Sequence, residues 1–355
     1  MTYPPGVDRC SDPPLRRAVG ALIGALLLLA VTSGCSATVA PDDDARATGS
    51  ASSQAAATPS PRAFTPSSWW NTPVPADAPE HPRSAQILRY MQTGPEAGEG
   101  CVRLAGTENA WGQPVYWAEP GDPEYDVDVD IPDHPPELKS LRIPRGAAAA
   151  DNNDGSMTIF DLERGYTVAL TNAEFDSIAD RWSAAGATVT YLDSNGLHAD
   201  TSQSSDERNL GSHRGNNAAV MMARYDEVQA GRIEHVLKVA SGPEASRRFV
   251  FPMVGSDGDS KRRDAPPQGL RFRIKPSVDL ESLELDPQTL VIAKALQDYG
   301  FYIGDSGSVT ALKLEDTHTS RGEKVWNMPA TALCDLPLTT EHWEVLPEGY
   351  RPPPG

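Results

Sequence analysis

The chain lacks the short motifs that mark several large classes of enzyme. It contains no G-x-S-x-G serine elbow, no glycine-rich phosphate loop, no H-E-x-x-H zinc pair and no C-x-x-C. Serine hydrolases with that elbow, nucleotide-binding proteins with that loop and proteins with these zinc motifs carry such sequences because their chemistry needs those residues at those spacings. None of the three classes therefore has support here.

Positive charge is also scarce. Lys and Arg number 31 against 49 Asp and Glu, which gives a formal net charge of −18 over 355 residues. A surface this acidic repels phosphate backbones and anionic lipid headgroups, so we expect neither nucleic acid nor a membrane surface as a charge-driven partner. A local basic groove could still overcome this repulsion and bind a polyanionic substrate.

The only long apolar run lies near the N-terminus. It extends over residues 18–34, follows Arg16 and Arg17, and ends in small residues before Cys35. A basic start and a short apolar run are typical of a signal peptide, which predicts one over residues 1–34. The end of the run resembles a lipobox, with Thr32 where Leu is usual, and predicts a lipid on Cys35. The alternatives are an uncleaved anchor and nearby cleavage without a lipid.

Large apolar side chains are nearly absent from the segment that directly follows the apolar run. Residues 35–63 are mostly Ala, Ser, Thr, Pro and Asp, a composition that buries too little surface to offset its chain entropy. We expect a disordered stalk there and a single β-rich domain over residues 64–355. The predicted location is the outer face of the cell membrane, held by the lipid anchor alone, with a fraction released from the cell.

Cysteine is rare, with four in the whole chain. Cys10 would leave with the signal peptide and Cys35 would carry the lipid, which leaves Cys101 and Cys334 as an even pair in an oxidising compartment. We predict a disulfide between them, and closing so long a loop would contribute roughly 4–5 kcal/mol in the chain-entropy model. The alternative is two buried free thiols.

Short apolar runs separated by turn residues dominate residues 64–355. Runs such as 157–162 and 166–170, on either side of Glu163-Arg164-Gly165, indicate hairpins. We predict a mainly β, α+β domain: an antiparallel two-sheet sandwich with several packed helices. Helices are predicted over 84–92, from a capping pattern at Thr171 to Gly186, and from Pro287 to Tyr299. In the second of these, Phe175, Ile178 and Trp182 would share one apolar face.

One loop is weakly similar to a calcium loop. Asp151 to Gly155 reads D-N-N-D-G, but the glycine falls one place early for an EF-hand. Asn and Asp also favour ordinary turns. No cofactor is predicted, and a structural calcium ion here is the weaker of the two interpretations.

The densest group of candidate site residues lies between Arg224 and His235. Arg224 and Glu227 are three positions apart and would share a helix face, and His235 follows in an apolar, strand-like run. A histidine opening onto a cleft could transfer a proton near neutral pH, with Glu227 as its partner or as a general acid. The competing interpretations are a core histidine and a structural Arg–Glu ion pair.

Two further acids lie in predicted turns. Asp257 follows Phe251-Pro252-Met253, and Asp305 follows Tyr302-Ile303-Gly304. By default each is a turn aspartate that accepts hydrogen bonds from its own backbone.

Several segments resemble a family of exported bacterial proteins that occur in lipoprotein or secreted form. The matching segments are S-W-W-N-T-P from Ser68, R-x-x-E from Arg224 followed by G-x-I-x-H-V-L from Gly231, F-P from Phe251 with Asp257, V-D-L from Val278, and A-K-A-L-Q-D-Y-G-F-Y from Ala293 with Asp305. The resemblance covers most of the predicted domain and implies export but no particular reaction. It singles out Arg224, Glu227, His235, Asp257 and Asp305 as a shared polar set.

A polysaccharide, or another component of the cell envelope, is the expected partner. Trp69, Trp70 and Tyr302 are candidates to stack on sugars, and Arg224 to bind a uronate. Glycoside hydrolysis needs two carboxylates across the scissile bond, for which Glu227 with Asp257 or Asp305 would serve. A polysaccharide lyase, with His235 or a tyrosine as base, is the less favoured enzyme. The alternative from another class is a glycan- or envelope-binding lipoprotein without catalysis.

Overall fold

The computed structural model describes residues 61–95, 97–108, 111–131, 134–201, 206–211, 215, 220–242 and 247–353. By its internal contacts the chain divides into Met1–Ser53 and Gln54–Gly355, and every described residue belongs to the second unit. The predicted signal peptide, Cys35 and nearly all of the predicted stalk lie outside the described residues.

The helices are few and mostly short. Within the described residues they are α1 (Ser84–Thr93), α2 (Tyr225–Gln229), α3 (Pro287–Asp298) and α4 (Thr317–Arg321), with single 3₁₀ turns at Trp69–Asn71, Pro136–Ser140 and Leu280–Leu283. The predictions of α1 and α3 are confirmed. Asp286 caps α3, because its carboxylate accepts hydrogen bonds from the backbone N–H groups of Gln288 and Thr289, both at 3.0 Å.

Strands make up more of the described chain than helices do. They are β1 (Arg103–Ala105), β2 (Val115–Trp117), β3 (Glu124–Tyr125), β4 (Asp128–Val129), β5 (Leu141–Arg142), β6 (Met157–Asp161), β7 (Tyr166–Thr171), β8 (Glu174–Asp176), β9 (Arg181–Ala184), β10 (Gly186–Tyr191), β11 (Leu210–Gly211), β12 (Leu237–Ser241), β13 (Arg271–Ile274), β14 (Phe301–Ser306), β15 (Ala311–Lys313) and β16 (Trp343–Val345). The predicted hairpin is β6 and β7, which pair antiparallel.

Two large sheets organise these strands. One has six strands in the order β1-β15-β12-β14-β13-β16, and the other has five in the order β11-β10-β7-β6-β2. The mainly β, α+β class is confirmed, but the pairing is mixed rather than antiparallel throughout. The pairs β1–β15, β12–β14 and β2–β6 are parallel. Parallel neighbours need a long crossover, and for β12–β14 that crossover contains β13 and α3.

The two large sheets meet through a buried aromatic cluster. Along β14, Phe301 and Ile303 point into a core shared with α1 and α3, whereas Tyr302 points to the opposite face. There it joins Phe160 of β6 and Val115 of β2 in one cluster. Successive side chains of a strand point to opposite faces of its sheet, and both faces of β14 are covered here. The second sheet covers one of them, which gives the sandwich-like arrangement.

The helix predicted from Thr171 to Gly186 is wrong. That stretch forms the hairpin of β8 and β9, in which Phe175 lies opposite Trp182 with ring centroids 5.3 Å apart. Ile178, expected on the buried helix face, is 98% exposed at the hairpin tip. The apolar spacing also fits a hairpin whose aromatic residues pair across the strands, and tertiary packing decided between the two.

The predicted cysteine pair lies at disulfide distance. The Cα atoms of Cys101 and Cys334 are 5.0 Å apart and their sulfur atoms are at bonding distance, across a sequence separation of 233 residues. Cys101 comes just before β1, an edge strand of the six-stranded sheet. The bridge therefore ties that edge to the C-terminal part of the chain.

Candidate functional site

The first polar group to consider is the interior cluster, defined as Arg224, Glu227 and His235. All three side chains are buried, with residue exposures of 1%, 5% and 7%. The Glu227 carboxylate accepts a hydrogen bond from Arg224 Nη2 at 2.8 Å and lies 3.0 Å from His235 Nε2. The contacts expected from sequence are therefore present, although a part in chemistry for these residues stays a prediction.

Local structure explains why these residues meet. Arg224 precedes α2 and Glu227 is the third residue of that helix, so the carboxylate can also accept a hydrogen bond from the Arg224 backbone N–H at 3.3 Å. The Arg224 guanidinium lies 5.3 Å from the centre of the Phe160 ring. The cluster thus joins the start of α2 to the aromatic layer between the sheets.

The protonation of Glu227 reflects two opposing effects. Burial is the largest and would raise the pKa of Glu227, but the charges of Arg224 and His235, together with hydrogen bonds, outweigh it. The pKa of Glu227 therefore lies below its ordinary value, which favours the carboxylate form. A general acid requires the opposite shift, so Glu227 is poorly suited to that role.

The aromatic residues predicted to stack on substrate are in the core instead. Trp69, Trp70 and Tyr302 are 8%, 0% and 0% exposed, and the rings of Trp70 and Tyr302 lie 5.1 Å apart. Trp70 Nε1 donates to the Gly196 carbonyl at 2.8 Å, and Trp69 Nε1 donates to the Tyr350 carbonyl at 3.0 Å. Rings this deeply buried cannot offer a face to a sugar, so stacking is corrected to a packing role.

The main cleft lies between the two large sheets and has a volume of about 530 Å³. One wall comes from β7 and β10, and the other from β1, β12, β14 and β15. Among the described residues it contains Asp257 and Asp305, but not Glu227 or His235. Two of the predicted site acids therefore face a common cavity and the interior cluster does not.

A network of polar side chains defines the cleft cluster: Asp257, Asp305, Lys238 and Ser306. Lys238 Nζ lies 3.2 Å from Asp305 Oδ2, and the Ser306 hydroxyl donates to Asp257 Oδ2 at 2.8 Å. The Ser306 backbone N–H donates to Asp305 Oδ1 at 3.1 Å. One serine thus joins the two aspartates, so both carboxylates form a hydrogen bond with the same residue on the cleft surface.

Asp257 also accepts a hydrogen bond from a buried side chain. Gln268 is completely buried, and its Nε2 donates to Asp257 Oδ1 at 2.5 Å. Asp257 is therefore more than the isolated turn aspartate that sequence alone suggests. Its two carboxylate oxygens accept from two different side chains, Gln268 and Ser306, which fixes the orientation of the group in the cleft.

The strand sequence creates the space for this network. Lys238 of β12 lies opposite Tyr302 of β14, and an irregularity after Val239 shifts the register so that Ala240 pairs with Asp305. A Cβ at Gly304 would come within 2.8 Å of Lys238 Cγ. Glycine at 304 thus leaves room for the buried lysine stem to pass towards Asp305.

Glu227 and Asp305 do not line the same cleft. The register of β12 and β14 places Asp305 beside Ala240, five residues beyond His235. Of the three carboxylates that sequence offers for hydrolysis, Asp257 and Asp305 line the cleft and Glu227 does not. A pairing of Glu227 with either aspartate stays a prediction.

Sequence reasoning missed Lys238 and Ser306, and it counted Trp111 only as one of five tryptophans that could stack on sugars. Lys238 is only 5% exposed, and it is the one charged residue in the run V-L-K-V-A from Val236. A single cation inside an apolar strand is a signal that could have found it, because a buried charge needs a partner. Trp111 lines the cleft and is 45% exposed, which the buried tryptophans are not.

The loop from Asp151 to Gly155 is organised as a turn. The Asn152 side-chain oxygen accepts from the backbone N–H groups of Asp154 and Gly155 at 2.8 and 3.1 Å. Asp154 lies 3.5 Å from Lys313 Nζ. In the described part of the chain the one group spaced to hold a metal ion is Glu99 with Cys101 and Cys334, whose sulfurs are bonded to each other. Calcium binding stays an untested hypothesis.

No protein-family model matches this chain, and no curated protein or solved structure is detectably similar to it. The resemblance to exported bacterial proteins therefore stays a prediction. Across the described ranges, from residue 61 to 353 with their gaps, no helix is both long and apolar enough to cross a membrane.

Proposed function

We propose that this chain is an exported cell-surface lipoprotein that hydrolyses an extracellular or envelope polysaccharide in the cleft between its two large sheets. The observation that carries the proposal is the joining of Asp257 and Asp305 through Ser306 on the cleft surface. Glycoside hydrolysis needs two carboxyl groups on opposite sides of one bond, and these two carboxyl groups line the same cleft.

The surroundings of the two aspartates favour different roles. Asp305 is paired with the Lys238 ammonium, and a cation stabilises a charged partner, so Asp305 is the candidate base or nucleophile. The other carboxyl group, that of Asp257, accepts hydrogen bonds from Gln268 and Ser306 and is the candidate acid. In the hydrolytic step Asp257 would protonate the glycosidic oxygen as the bond from that oxygen to the anomeric carbon breaks. With Asp305 as the base, water would add its oxygen to that carbon and give one proton to Asp305. Proton exchange with solvent would then restore both carboxyl groups.

The dimensions of the cleft suit a sugar chain. A volume of about 530 Å³ falls in the range of ligand pockets, and Trp111 presents an exposed ring on its lining. An aromatic face at such a site can stack on a pyranose ring. Because stacking requires no acid or base, Trp111 equally supports the second candidate function, which is glycan binding without catalysis.

The test uses the full-length chain, purified in detergent, with a panel of plant and envelope polysaccharides. We expect new reducing ends from at least one polymer, lost in Asp257→Asn and in Asp305→Asn. Asp126→Asn is the matched control, because Asp126 is exposed and does not line the cleft. Its activity should equal that of the wild type.

Other results would change the conclusion. Absorbance from unsaturated uronates, in place of simple reducing ends, would replace hydrolysis by a lyase reaction. Binding to one polymer without new ends would favour the binding protein. Activity that survives in both cleft variants would show that the two aspartates are not the catalytic pair.

A further inference from the structure

A second concave surface lies on the outside of the six-stranded sheet, away from the cleft. It is an open hollow of about 510 Å³ between α1 and the segment 260–264. Arg89 and Tyr90 of α1 form one side, and Arg262 with Asp264 forms the other. No described residue lines both this hollow and the cleft.

Three contacts hold the two sides of the hollow together. The Tyr90 hydroxyl lies 2.9 Å from the Ser260 hydroxyl oxygen, and Arg83 Nη1 donates to the Arg263 carbonyl at 3.1 Å. Arg83 also forms an ion pair with Asp264. The segment carrying Arg262 is therefore fixed against the helix carrying Arg89, so both arginines line one hollow.

Two arginines, Arg89 and Arg262, line the hollow, and further cations adjoin Arg262 in the sequence, although the chain as a whole is strongly acidic. Lys261, Arg262 and Arg263 are consecutive and exposed, and Arg89 is exposed on the facing helix. None of these four side chains forms an ion pair with another described residue. The one acid lining the hollow, Asp264, is engaged by Arg83. Asp259 is the nearest other acid in sequence and does not line it.

We propose that this hollow is a binding site for an oxyanion-bearing ligand, a chain of phosphate or carboxylate groups. Guanidinium groups present a planar fork of donors that matches such oxyanions, and two forks at one hollow can bind two charges at once. The local cation excess opposes the repulsion that the net charge of −18 exerts on polyanions elsewhere. The ligand can belong to a free polymer or to lipid headgroups, because both offer the same chemistry.

The experiment measures binding of the full-length chain, in detergent, to three probes: polyphosphate, polygalacturonate, and immobilised vesicles of phosphatidylglycerol compared with phosphatidylcholine. Arg89→Ala combined with Arg262→Ala should weaken binding at least about tenfold, since two charge-assisted contacts are lost. The same variant with Lys at both positions keeps the charge but loses the fork, and should bind with intermediate strength.

The control removes the same charge elsewhere. Arg181→Ala with Arg232→Ala deletes two arginines whose side chains are 59% and 67% exposed and lie outside the hollow. Binding that weakens only in the hollow variant supports the site, and the probe that binds identifies a polymer or a headgroup as the source. Equal weakening in the hollow variant and in this control, or no binding of any probe at low salt, would overturn the proposal of an oxyanion site. Hydrolysis in the cleft is measured separately and is not expected to change.

Discussion

The interior cluster and the cleft cluster lie on neighbouring parts of the same fold but differ in what surrounds them. Arg224, Glu227 and His235 are buried and bonded to one another, whereas Asp257 and Asp305 line an open cavity. A buried polar group that is fully paired mainly holds a fold in one arrangement, and one that faces a cavity can also reach a ligand. Burial and access, rather than residue type, separate the two groups.

The largest expected effect is on the rate of reaction in the cleft. Asp257→Asn and Asp305→Asn should each reduce turnover of a cleaved polysaccharide by about 10²–10⁴-fold, the usual contribution of a positioned acid or base. Initial rates of reducing-end formation measure this directly. Glu227→Gln should keep its activity as long as the variant is folded at the assay temperature. If it loses as much activity as either cleft variant, the assignment of catalysis to the cleft cluster alone is wrong.

The interior cluster should instead show its effect in stability. Arg224→Ala leaves the Glu227 carboxylate buried without its arginine, which we expect to cost roughly 3–5 kcal/mol in the free energy of unfolding. Arg232 forms an exposed pair with Glu234, so Arg232→Ala should change that free energy by less than about 0.5 kcal/mol. Denaturant titration of the two variants compares them, and similar midpoints would contradict the structural role of the interior cluster.

Acid should weaken the interior cluster in a defined direction. A carboxyl group whose pKa is depressed by folding contributes stability that is fully present above its unfolded pKa and is lost as the pH falls through its folded pKa. For Glu227 this loss begins on acidification below about pH 4–5, the ordinary titration range of glutamate. Thermal unfolding followed from neutral to acidic pH should show a shallower decline in Glu227→Gln. The exposed control Glu119→Gln should keep the wild-type slope.

The smallest expected effect concerns the lining of the cleft. Trp111→Ala removes an exposed ring and should weaken glycan binding by roughly 3–10-fold, the scale of one aromatic contact. Trp117→Ala is a useful comparison, because Trp117 stacks on Phe160 and is not part of the lining. If both variants bind equally well, Trp111 does not contact the sugar.

Sequence patterns predicted some elements of this fold well. They failed where the same spacing of apolar residues fits both a helix and a β-hairpin. Asp286 and Pro287 identify the start of α3 because a cap and a proline have one favourable position in a helix. Phe175, Ile178 and Trp182 fit a helix face, yet the chain forms β8 and β9 there. Their spacing is local, and the choice depended on pairing between two strands.

The candidate site was predicted in part for a similar reason. Arg224 and Glu227 are close in sequence, so helical spacing alone anticipates their contact. Asp257 and Asp305 were single aspartates in turns until the fold joined them through Ser306. Lys238 was absent from the prediction because its partner lies 67 residues away.

The sequence by itself determined the scarcity of positive charge, the lack of several catalytic motifs and the start of α3, and it predicted the pairing of Cys101 with Cys334. Each follows from composition, from local backbone chemistry or from elimination among few candidates. Only the tertiary structure decided which acids face a cleft and which are buried in an ion pair. That choice depends on strand register and on contacts between residues distant in the chain, which local patterns do not encode.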